Sequence, residues 1–266
     1  MKLGFIGAGK MGSALLGGAL HTAFCRPEEV FVHDVHAPSV EAALTRWPGI
    51  RGAASNGEIF AACDLVLLCV KPQEVRTTLE AAAPGAENRL LVSIAAGIAL
   101  EQLETWSANR HRVVRVMPNT PALVGEGAGA FALGSRATEA DAQTVTALFG
   151  GIGMIARVKE GQLDAVTGLS GSGPAYVYTV IEALADGGVR EGLPRALALQ
   201  LAARTVAGAA AMVLQTGQHP ASLRDEVASP GGTTIAGLAK LEEKGLRSAL
   251  IEAVHAATQR SKELSA

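Results

Sequence analysis

The sequence predicts two domains of different class, an open α/β domain followed by an all-helical domain. Short apolar runs that fit buried strands alternate with helical patterns as far as residue 158. Beyond that point the strand patterns stop, and long Ala- and Leu-rich helical stretches follow. Alternation of this kind is typical of a parallel sheet covered by helices. We therefore predict domains at residues 1–158 and 159–266.

Length, charge and cysteine content bound the class of function. A chain of 266 residues is long enough for two ordinary cores. Its net charge of −2 offers no electrostatic case for nucleic-acid binding. The 3 cysteines have no metal-binding spacing and make no even disulfide set, so we expect no metal site and a cytoplasmic location. The stretch before Gly7 is too short for the core of a signal peptide.

The first predicted strand ends in a glycine motif that is typical of a dinucleotide site. Residues 2–6 fit a buried strand, and Gly7-Ala8-Gly9-Lys10-Met11-Gly12 follows it and opens a helix. In G-x-G-x-x-G the first glycine permits a tight turn, and the second lets a pyrophosphate approach. The third allows the helix to pack closely on the strand. We therefore predict a Rossmann-type dinucleotide-binding domain.

The second predicted strand ends in an acidic residue that suits a ribose, and a short third strand follows it. Residues 30–34 predict the second strand, and Asp34 at its end, about 20 positions past the glycines, fits the ligand of a ribose hydroxyl. A helix-capping aspartate is the alternative for this residue. A helix is predicted at residues 40–47, then a weak strand at residues 50–53, closed by Ser55-Asn56 ahead of a short helix.

Continuous apolar runs predict the centre of the sheet. Residues 64–70 show no alternation, as expected for a parallel strand covered on both faces, and Pro72 suits the start of the next helix. The remaining elements are strands at residues 90–94, 112–117, 127–133 and 154–158, with a helix at residues 138–149.

The carboxyl ends of these strands predict the ligand-binding edge, because ligands of open α/β sheets lie there. The residues at these ends are mostly small or neutral, which leaves room for a flat ring, and Lys71 is the only basic one. They are Gly7-Ala8-Gly9, Asp34, Asn56, Val70-Lys71-Pro72, Ala95-Ala96-Gly97 and Met117-Pro118-Asn119-Thr120.

The second domain is predicted to contain helices only. Residues 163–169 and 177–185 fit two helices on either side of a glycine-rich bend at residues 171–176, and Gly187-Gly188 is expected to break the second helix. Residues 194–215 predict a long helix that is apolar on nearly all sides, although Gln200 and Arg204 favour a buried helix over a membrane span. One small domain cannot cover that surface, so we expect burial against a second subunit.

A loop near the C-terminus predicts an anion pocket. Ser229-Pro230-Gly231-Gly232-Thr233-Thr234 precedes an apolar helical pattern. Adjacent glycines let backbone N–H groups approach a ligand, and Thr233 or Thr234 suits the N-cap of the next helix. The free N–H groups and the dipole of that helix favour a carboxylate or a phosphate. An ordinary helix-capping loop is the alternative.

Taken together, the motifs resemble pyrroline-5-carboxylate reductases. The matching stretches are Gly7-Ala8-Gly9-Lys10-Met11-Gly12, Val70-Lys71-Pro72, Ser93-Ile94-Ala95-Ala96-Gly97, Met117-Pro118-Asn119-Thr120-Pro121, Gly168-Leu169-Ser170-Gly171-Ser172-Gly173-Pro174-Ala175-Tyr176 and Ser229-Pro230-Gly231-Gly232-Thr233-Thr234. They follow one another in order along the whole chain. The last two are specific to the family, whereas the glycine motif is shared with many other dehydrogenases.

The resemblance implies reduction of a carboxylated cyclic imine to proline by NADPH or NADH, in the cytoplasm. It implies a dimer or an assembly of dimers with interlocked helical domains. The substrate would be held by Ser229, Gly231, Gly232, Thr233 and Thr234. The cofactor would be lined by Gly7, Ala8, Gly9, Lys10, Met11, Asn56, Val70, Lys71, Pro72, Ala95, Ala96 and Gly97. Members of the family often carry small or basic residues where this chain has Asp34, which leaves the choice of cofactor open and suggests that NADH is used well.

The predicted reaction requires mainly that the enzyme position the substrate for hydride transfer. A protonated cyclic imine already holds a positive charge and accepts hydride without an enzyme acid. We therefore predict that Thr234 orients the substrate. Glu160 is a candidate substrate contact, with an exposed carboxylate at a helix start as its alternative.

Two other functions are weighed against this one. A hydroxyacid dehydrogenase of similar architecture needs a general base and carries a lysine on the first long helix of its second domain. Residues 162–193 contain no Lys, which argues against it. A non-catalytic dinucleotide sensor would have no evident use for the anion pocket.

Overall fold

The computed structural model describes residues 1–82 and 85–265, and it confirms the predicted fold class. The chain separates into two compact units, the first of which comprises residues 1–172 and the end of the chain from His255. The second unit, Gly173–Val254, is helical. The predicted domain boundary after residue 158 follows the last strand, which ends at Arg157, and it stays a prediction.

An eight-stranded sheet forms the first unit, in the order β3-β2-β1-β4-β5-β6-β7-β8. The strands are β1 Leu3–Ile6, β2 Val30–His33, β3 Arg51–Gly52, β4 Leu65–Leu68, β5 Leu90–Ser93, β6 Arg112–Met117, β7 Gly127–Leu133 and β8 Gly153–Arg157. The first six run parallel, whereas β7 is antiparallel to β6 and β8 is parallel to β7. Each predicted strand is present, with both ends within two residues of the prediction.

The chain order reverses across β1, and this reversal fixes where a ligand can bind. Leu3 of β1 lies opposite Val30 of β2 on one side and Leu65 of β4 on the other. The connections after β1 and after β4 therefore leave in opposite senses, which opens a crevice at the carboxyl ends of β1 and β4. β1 and β4 are buried along their whole length, as their uninterrupted apolar runs predict.

Helices cover both faces of the sheet, where two apolar clusters form the core. The helices of the chain are α1 Lys10–His21, α2 Ala37–Arg46, α3 Asn56–Ala62, α4 Pro72–Ala82, α5 Leu100–Trp106, α6 Glu139–Gly150, α7 Leu163–Val166, α8 Gly173–Arg190, α9 Arg195–Thr216, α10 Pro220–Glu226, α11 Thr233–Glu243 and α12 Leu246–Ser265. Helix α5 was not predicted, because it is short and its N-cap residue, Ala99, has no side chain that could cap it.

The predicted glycine-rich bend at residues 171–176 is confined to Ser172, so its predicted extent is wrong. A π-helical turn at Thr167–Gly171 leads into α8, which continues through Gly187 and Gly188 to Arg190. Gly187 and Gly188 do not break the helix, and Gly171 and Gly188 allow close packing. The Met117 side chain lies 2.6 Å from where a Cβ of Gly171 would be, and Ala198 of α9 lies 3.2 Å from the same point on Gly188.

Helix α9 leaves most of its apolar surface exposed on the single chain. Only Ala198 and Ala202 of this helix are buried, in a small cluster with Ala185 of α8. Among the described residues, α9 is also the one helix that is long and apolar enough to cross a membrane, judged by length and composition only.

Candidate active site

The glycine motif forms the cradle that its spacing predicts. Gly7 has φ +99°, and a Cβ there would lie 2.6 Å from the carbonyl oxygen of Cys69, so the turn between β1 and α1 admits only glycine at this position. A Cβ on Gly12 would collide with the carbonyl oxygen of Gly7. By contrast, nothing lies within 4 Å of the corresponding point on Gly9. The loop is therefore closely packed at Gly7 and Gly12, and the space beside Gly9 is open to a ligand.

The start of α1 offers hydrogen-bond donors to this open space. The first helical bond runs from the Ser13 N–H to the Gly9 carbonyl at 2.9 Å. The N–H groups of Lys10, Met11 and Gly12 have no acceptor within the described part of the chain. Free N–H groups at a helix N-terminus, with room for an anion before them, fit a pyrophosphate.

A cleft of about 660 Å³ runs from the cradle past the ends of β2 and β4. Its lining includes Gly7, Gly9, Asp34, His36, Ser39, Asn56, Cys69, Val70, Lys71 and Thr77. The structure thus brings together part of the predicted cofactor set in one cleft. Of the other predicted residues, Ala8, Lys10, Met11 and Pro72 flank the cleft lining in sequence.

Asn56 places an unsatisfied oxygen at this cleft. It is the first residue of α3, whose N-cap Ser55 accepts the Glu58 N–H at 3.2 Å. The side-chain Oδ1 of Asn56 is buried and has no hydrogen-bond partner within the described residues. A buried acceptor without a donor is costly, so a hydroxyl of a bound ligand suits this position. A dinucleotide therefore fits both the glycine cradle and the Asn56 side chain.

Asp34 connects the end of β2 to the cradle. Its Oδ2 accepts the Ala8 N–H at 2.7 Å, and its Oδ1 accepts the His36 N–H at 2.8 Å. His36, and not Asp34, is the N-cap residue of α2, so the helix-capping alternative is wrong. A carboxylate has about four acceptor positions, so these two bonds leave capacity for a ribose hydroxyl.

The ends of β5 and β6 supply the remaining predicted cofactor residues, which lie outside the lining of this cleft. Ala95, Ala96 and Gly97 form the loop after β5, where Gly97 has φ +76°. Met117 ends β6 and is half-buried. Asn119 is occupied, since its Nδ2 donates to the Ser170 carbonyl at 3.0 Å and its Oδ1 accepts the Ala128 N–H at 2.9 Å. Its contact with a cofactor stays a prediction.

Glu160 is not the exposed carboxylate that its alternative interpretation predicts. Its Oε1 accepts the Leu100 N–H at 2.7 Å, and it pairs with Arg115 Nη1 at 3.1 Å. The Arg115 side chain is only 8% exposed. The Glu160 carboxylate therefore neutralises a buried cation and closes the N-terminus of α5. Its predicted contact with substrate is not tested by these bonds and stays a prediction.

The loop before α11 differs in one detail from its prediction. Gly232 is the N-cap, with an extended ψ of 175°, so neither Thr233 nor Thr234 caps the helix. The Gly232 N–H donates to the Ser229 carbonyl at 3.0 Å. The N–H groups of Thr233, Thr234 and Ile235 find no acceptor in the described ranges. The loop therefore presents free donors at a helix N-terminus, as predicted for an anion pocket.

The cysteines are not available as nucleophiles. All three are free, and burial raises the pKa of Cys69 and of Cys63 to about 12 and that of Cys25 to about 11. A thiol with such a pKa stays neutral at physiological pH, and the thiolate is the reactive form. The described residues also contain no group of three or more side chains that could hold a metal ion.

Comparison with known proteins identifies the family of this chain over nearly its whole length. A family model for pyrroline-5-carboxylate reductase dimerisation matches residues 160–264, and one for NADP oxidoreductase, coenzyme F420-dependent, matches residues 2–97. Pyrroline-5-carboxylate reductase from Glycine max is 49% identical over 99% of this chain and 96% of that protein. The Escherichia coli protein of that name is 41% identical over 99% and 98%.

Solved structures of proteins with the same activity in their names also match this chain. The pyrroline-5-carboxylate reductase of Coxiella burnetii matches with a TM-score of 0.94 at 31% identity, covering 100% of this chain and 98% of that chain. The pyrroline carboxylate reductase of Plasmodium falciparum, solved with NADP bound, matches with a TM-score of 0.87 at 34% identity, with the same coverage. Because such relatives cover the chain from end to end, this chain belongs to the pyrroline-5-carboxylate reductase family, as its motifs predict.

Proposed function

We propose that this chain reduces 1-pyrroline-5-carboxylate to L-proline with NAD(P)H, in the last step of proline biosynthesis. The observation that carries the proposal is the start of α11, where the N–H groups of Thr233, Thr234 and Ile235 have no acceptor within the described residues. Donors of this kind suit the substrate carboxylate. The same chain carries a dinucleotide cradle, so it has places for both the hydride donor and its acceptor.

Thr234 acts by orientation. Its side chain is half-buried at the second position of α11, beside the free N–H groups, whereas that of Thr233 is exposed. The protonated imine carries its own positive charge, so the enzyme needs no side-chain acid at the ring nitrogen. The reduced nicotinamide supplies the hydride when it is bound. The Ser229 hydroxyl oxygen lies 2.5 Å from where a Cβ of Gly232 would be, so position 232 has no room for a side chain while Ser229 keeps this place.

The cofactor lies along the cradle and the ends of the strands. The N–H groups at the start of α1 hold the pyrophosphate, and Asn56 Oδ1 accepts a ligand hydroxyl. Asp34 accepts a ribose hydroxyl, which favours NADH over NADPH. Lys71 is exposed at the mouth of the cleft and has no ion-pair partner within the described residues. It provides positive charge for the phosphates.

The helical domain joins two copies of the chain. α9 exposes Leu197, Leu201 and Leu214, an apolar surface that a single chain leaves uncovered. Its Arg204 lies in the middle of the helix, which suits a protein interface better than a lipid interior. We place the resulting dimer, or assembly of dimers, in the cytoplasm.

A turnover assay separates this function from its rivals. The purified chain is mixed with NADPH and 1-pyrroline-5-carboxylate, absorbance is followed at the nicotinamide band, and L-proline is measured as product. Pyruvate in place of the imine tests the hydroxyacid dehydrogenase alternative. Oxidation of NADPH with the imine alone supports the proposal, and oxidation with pyruvate alone favours the alternative. Binding of NADPH without turnover of either compound would favour the function of a dinucleotide sensor.

A further inference from the structure

The loop between β5 and α5 is held at both ends by hydrogen bonds. At its start, the Ile94 N–H donates to the Leu68 carbonyl at 3.2 Å. At its end, the Leu100 N–H donates to Glu160 at 2.7 Å. The middle of the loop, Ala95-Ala96-Gly97, is the part that we place against the cofactor. These bonds at Ile94 and Leu100 do not by themselves fix the position of Ala95-Ala96-Gly97 relative to the sheet.

The last turn of α12 lies against that middle part. A Cβ on Gly97 would stand 3.4 Å from the Leu264 carbonyl oxygen and 3.5 Å from the Leu264 Cβ. The end of the chain therefore packs on the loop through backbone and side chain together. The Leu264 side chain is itself 62% exposed, so its own burial does little to hold the turn in place.

Ser261 supplies the missing anchor one turn earlier. It is 6% exposed, and its Oγ donates to Asp164 Oδ1 of α7 at 2.7 Å. Residues three apart share one face of a helix, so Ser261 and Leu264 both lie on the face of α12 that contacts Asp164 and Gly97. A hydrogen bond to a carboxylate is among the stronger ones, and this one is partly buried.

We propose that Ser261 is a positioning residue for the cofactor loop. By binding Asp164 it holds the last turn of α12, and Leu264 with it, against Gly97, and so it sets the surface that the nicotinamide end of the cofactor meets. This inference rests on the proposed placement of Ala95-Ala96-Gly97 at the cofactor. Loss of the Ser261 hydroxyl should weaken cofactor binding while the binding of the imine at the α11 loop stays the same.

The test uses the full chain and measures NADPH affinity directly, by the quenching of protein fluorescence, alongside the KM values for NADPH and for the imine. The variants are Ser261→Ala, Ser261→Thr and Leu264→Gly. Gln259→Ala, an exposed position on the same helix, is the matched control. We expect Ser261→Ala and Leu264→Gly to raise the Kd for NADPH about threefold to tenfold, with the KM for the imine within twofold of the parent. Ser261→Thr keeps the hydroxyl and should bind nearly as the parent does.

Leu264→Gly and Gly97→Ala keep the outcome unambiguous. If Ser261→Ala fails to fold, Leu264→Gly carries the test, because its side chain is exposed. A Kd for NADPH within twofold of the parent in the folded variants would overturn the proposal. Gly97→Ala checks the placement of the loop separately, since a methyl group there is strained at φ +76°. Unchanged NADPH affinity in Gly97→Ala would mean that the loop is misplaced, and absence of turnover by the parent would reject the proposed function instead.

Discussion

Glu160 Oε1 lies 3.1 Å from Arg115 Nη1, and this ion pair connects strand β6 to the segment that follows the last strand of the sheet. No other carboxylate of the described residues pairs with the buried Arg115 side chain. The same Glu160 oxygen accepts the first N–H of α5. One carboxylate therefore supports both the sheet and the loop that precedes α5.

Glu160→Gln should destabilise the fold, and its effect on imine binding tests the predicted substrate contact. Removing one partner of a buried pair leaves the other charge uncompensated, and because Glu160 is about one-third exposed we expect the low end of that effect, about 3 kcal/mol. Urea unfolding measures the free energy of unfolding, and steady-state kinetics give the KM for the imine. A variant as stable as the parent but with a raised KM would instead make Glu160 the substrate contact that the sequence suggested.

Asp34→Ser should shift cofactor preference toward NADPH. A 2′-phosphate would meet like charge at contact distance, a repulsion of roughly 4 kcal/mol at an effective dielectric constant of 20 before screening. We expect a residual preference of the parent for NADH of about tenfold, equivalent to ~1.4 kcal/mol. Because Asp34 also accepts the N–H groups of Ala8 and His36, the substitution should lower activity with both cofactors.

The ratio of kcat/KM values for NADPH and NADH removes that common loss. Measured on parent and variant, it should rise about tenfold in Asp34→Ser. A parent that already favours NADPH, with no change of the ratio in the variant, would show that this carboxylate does not face the ribose.

Leu201→Asp should abolish self-association. Leu201 is 49% exposed on α9 of the single chain, so a charge there disrupts an interface and not the core of one unit. Light scattering coupled to size-exclusion chromatography should give a dimer or larger assembly for the parent and a smaller species for the variant. Gln143→Asp, which adds the same charge to an exposed position on α6, is the control. A Leu201→Asp protein with the parent's mass would contradict the proposed interface.

The cysteines should resist alkylation in the folded protein. Burial raises the pKa of all three thiols to about 11 or about 12, so the thiolate forms only well above pH 9. At pH 8, iodoacetamide should label the urea-unfolded chain rapidly and the native chain slowly, as mass spectrometry would show. Rapid loss of activity through a single labelled cysteine at that pH would reveal a reactive thiol at the cleft.

The sequence predicted the sheet well because local signals specify it. The apolar runs of β1 and β4 are continuous, so their burial on both faces follows from composition alone. The glycine motif was equally informative, since Gly7 has a backbone conformation that other residues rarely adopt.

What the sequence did not reveal depends on partners that are distant in the chain. Helix α5 is capped by Glu160, which lies 60 residues away. The glycines of α8 looked like helix breakers because their packing partners, such as Ala198 for Gly188, are on another helix. The buried ion pair of Arg115 was overlooked, although an arginine between the apolar residues Val114 and Val116 of β6 was a signal that a buried partner must exist.

The most direct test of the account compares two imines in the parent and in Thr234→Ala. The parent should use 1-pyrroline-5-carboxylate with a kcat/KM at least about a hundredfold higher than 1-pyrroline, which lacks the carboxylate that α11 is proposed to bind. Loss of one hydrogen bond to a charged group costs about 1.5–3 kcal/mol, so Thr234→Ala should lose one to two decades with the carboxylated imine and little with 1-pyrroline. Its Kd for NADPH should stay within twofold of the parent. Equal use of the two imines by the parent, or undiminished activity of Thr234→Ala, would contradict the placement of the substrate at the start of α11.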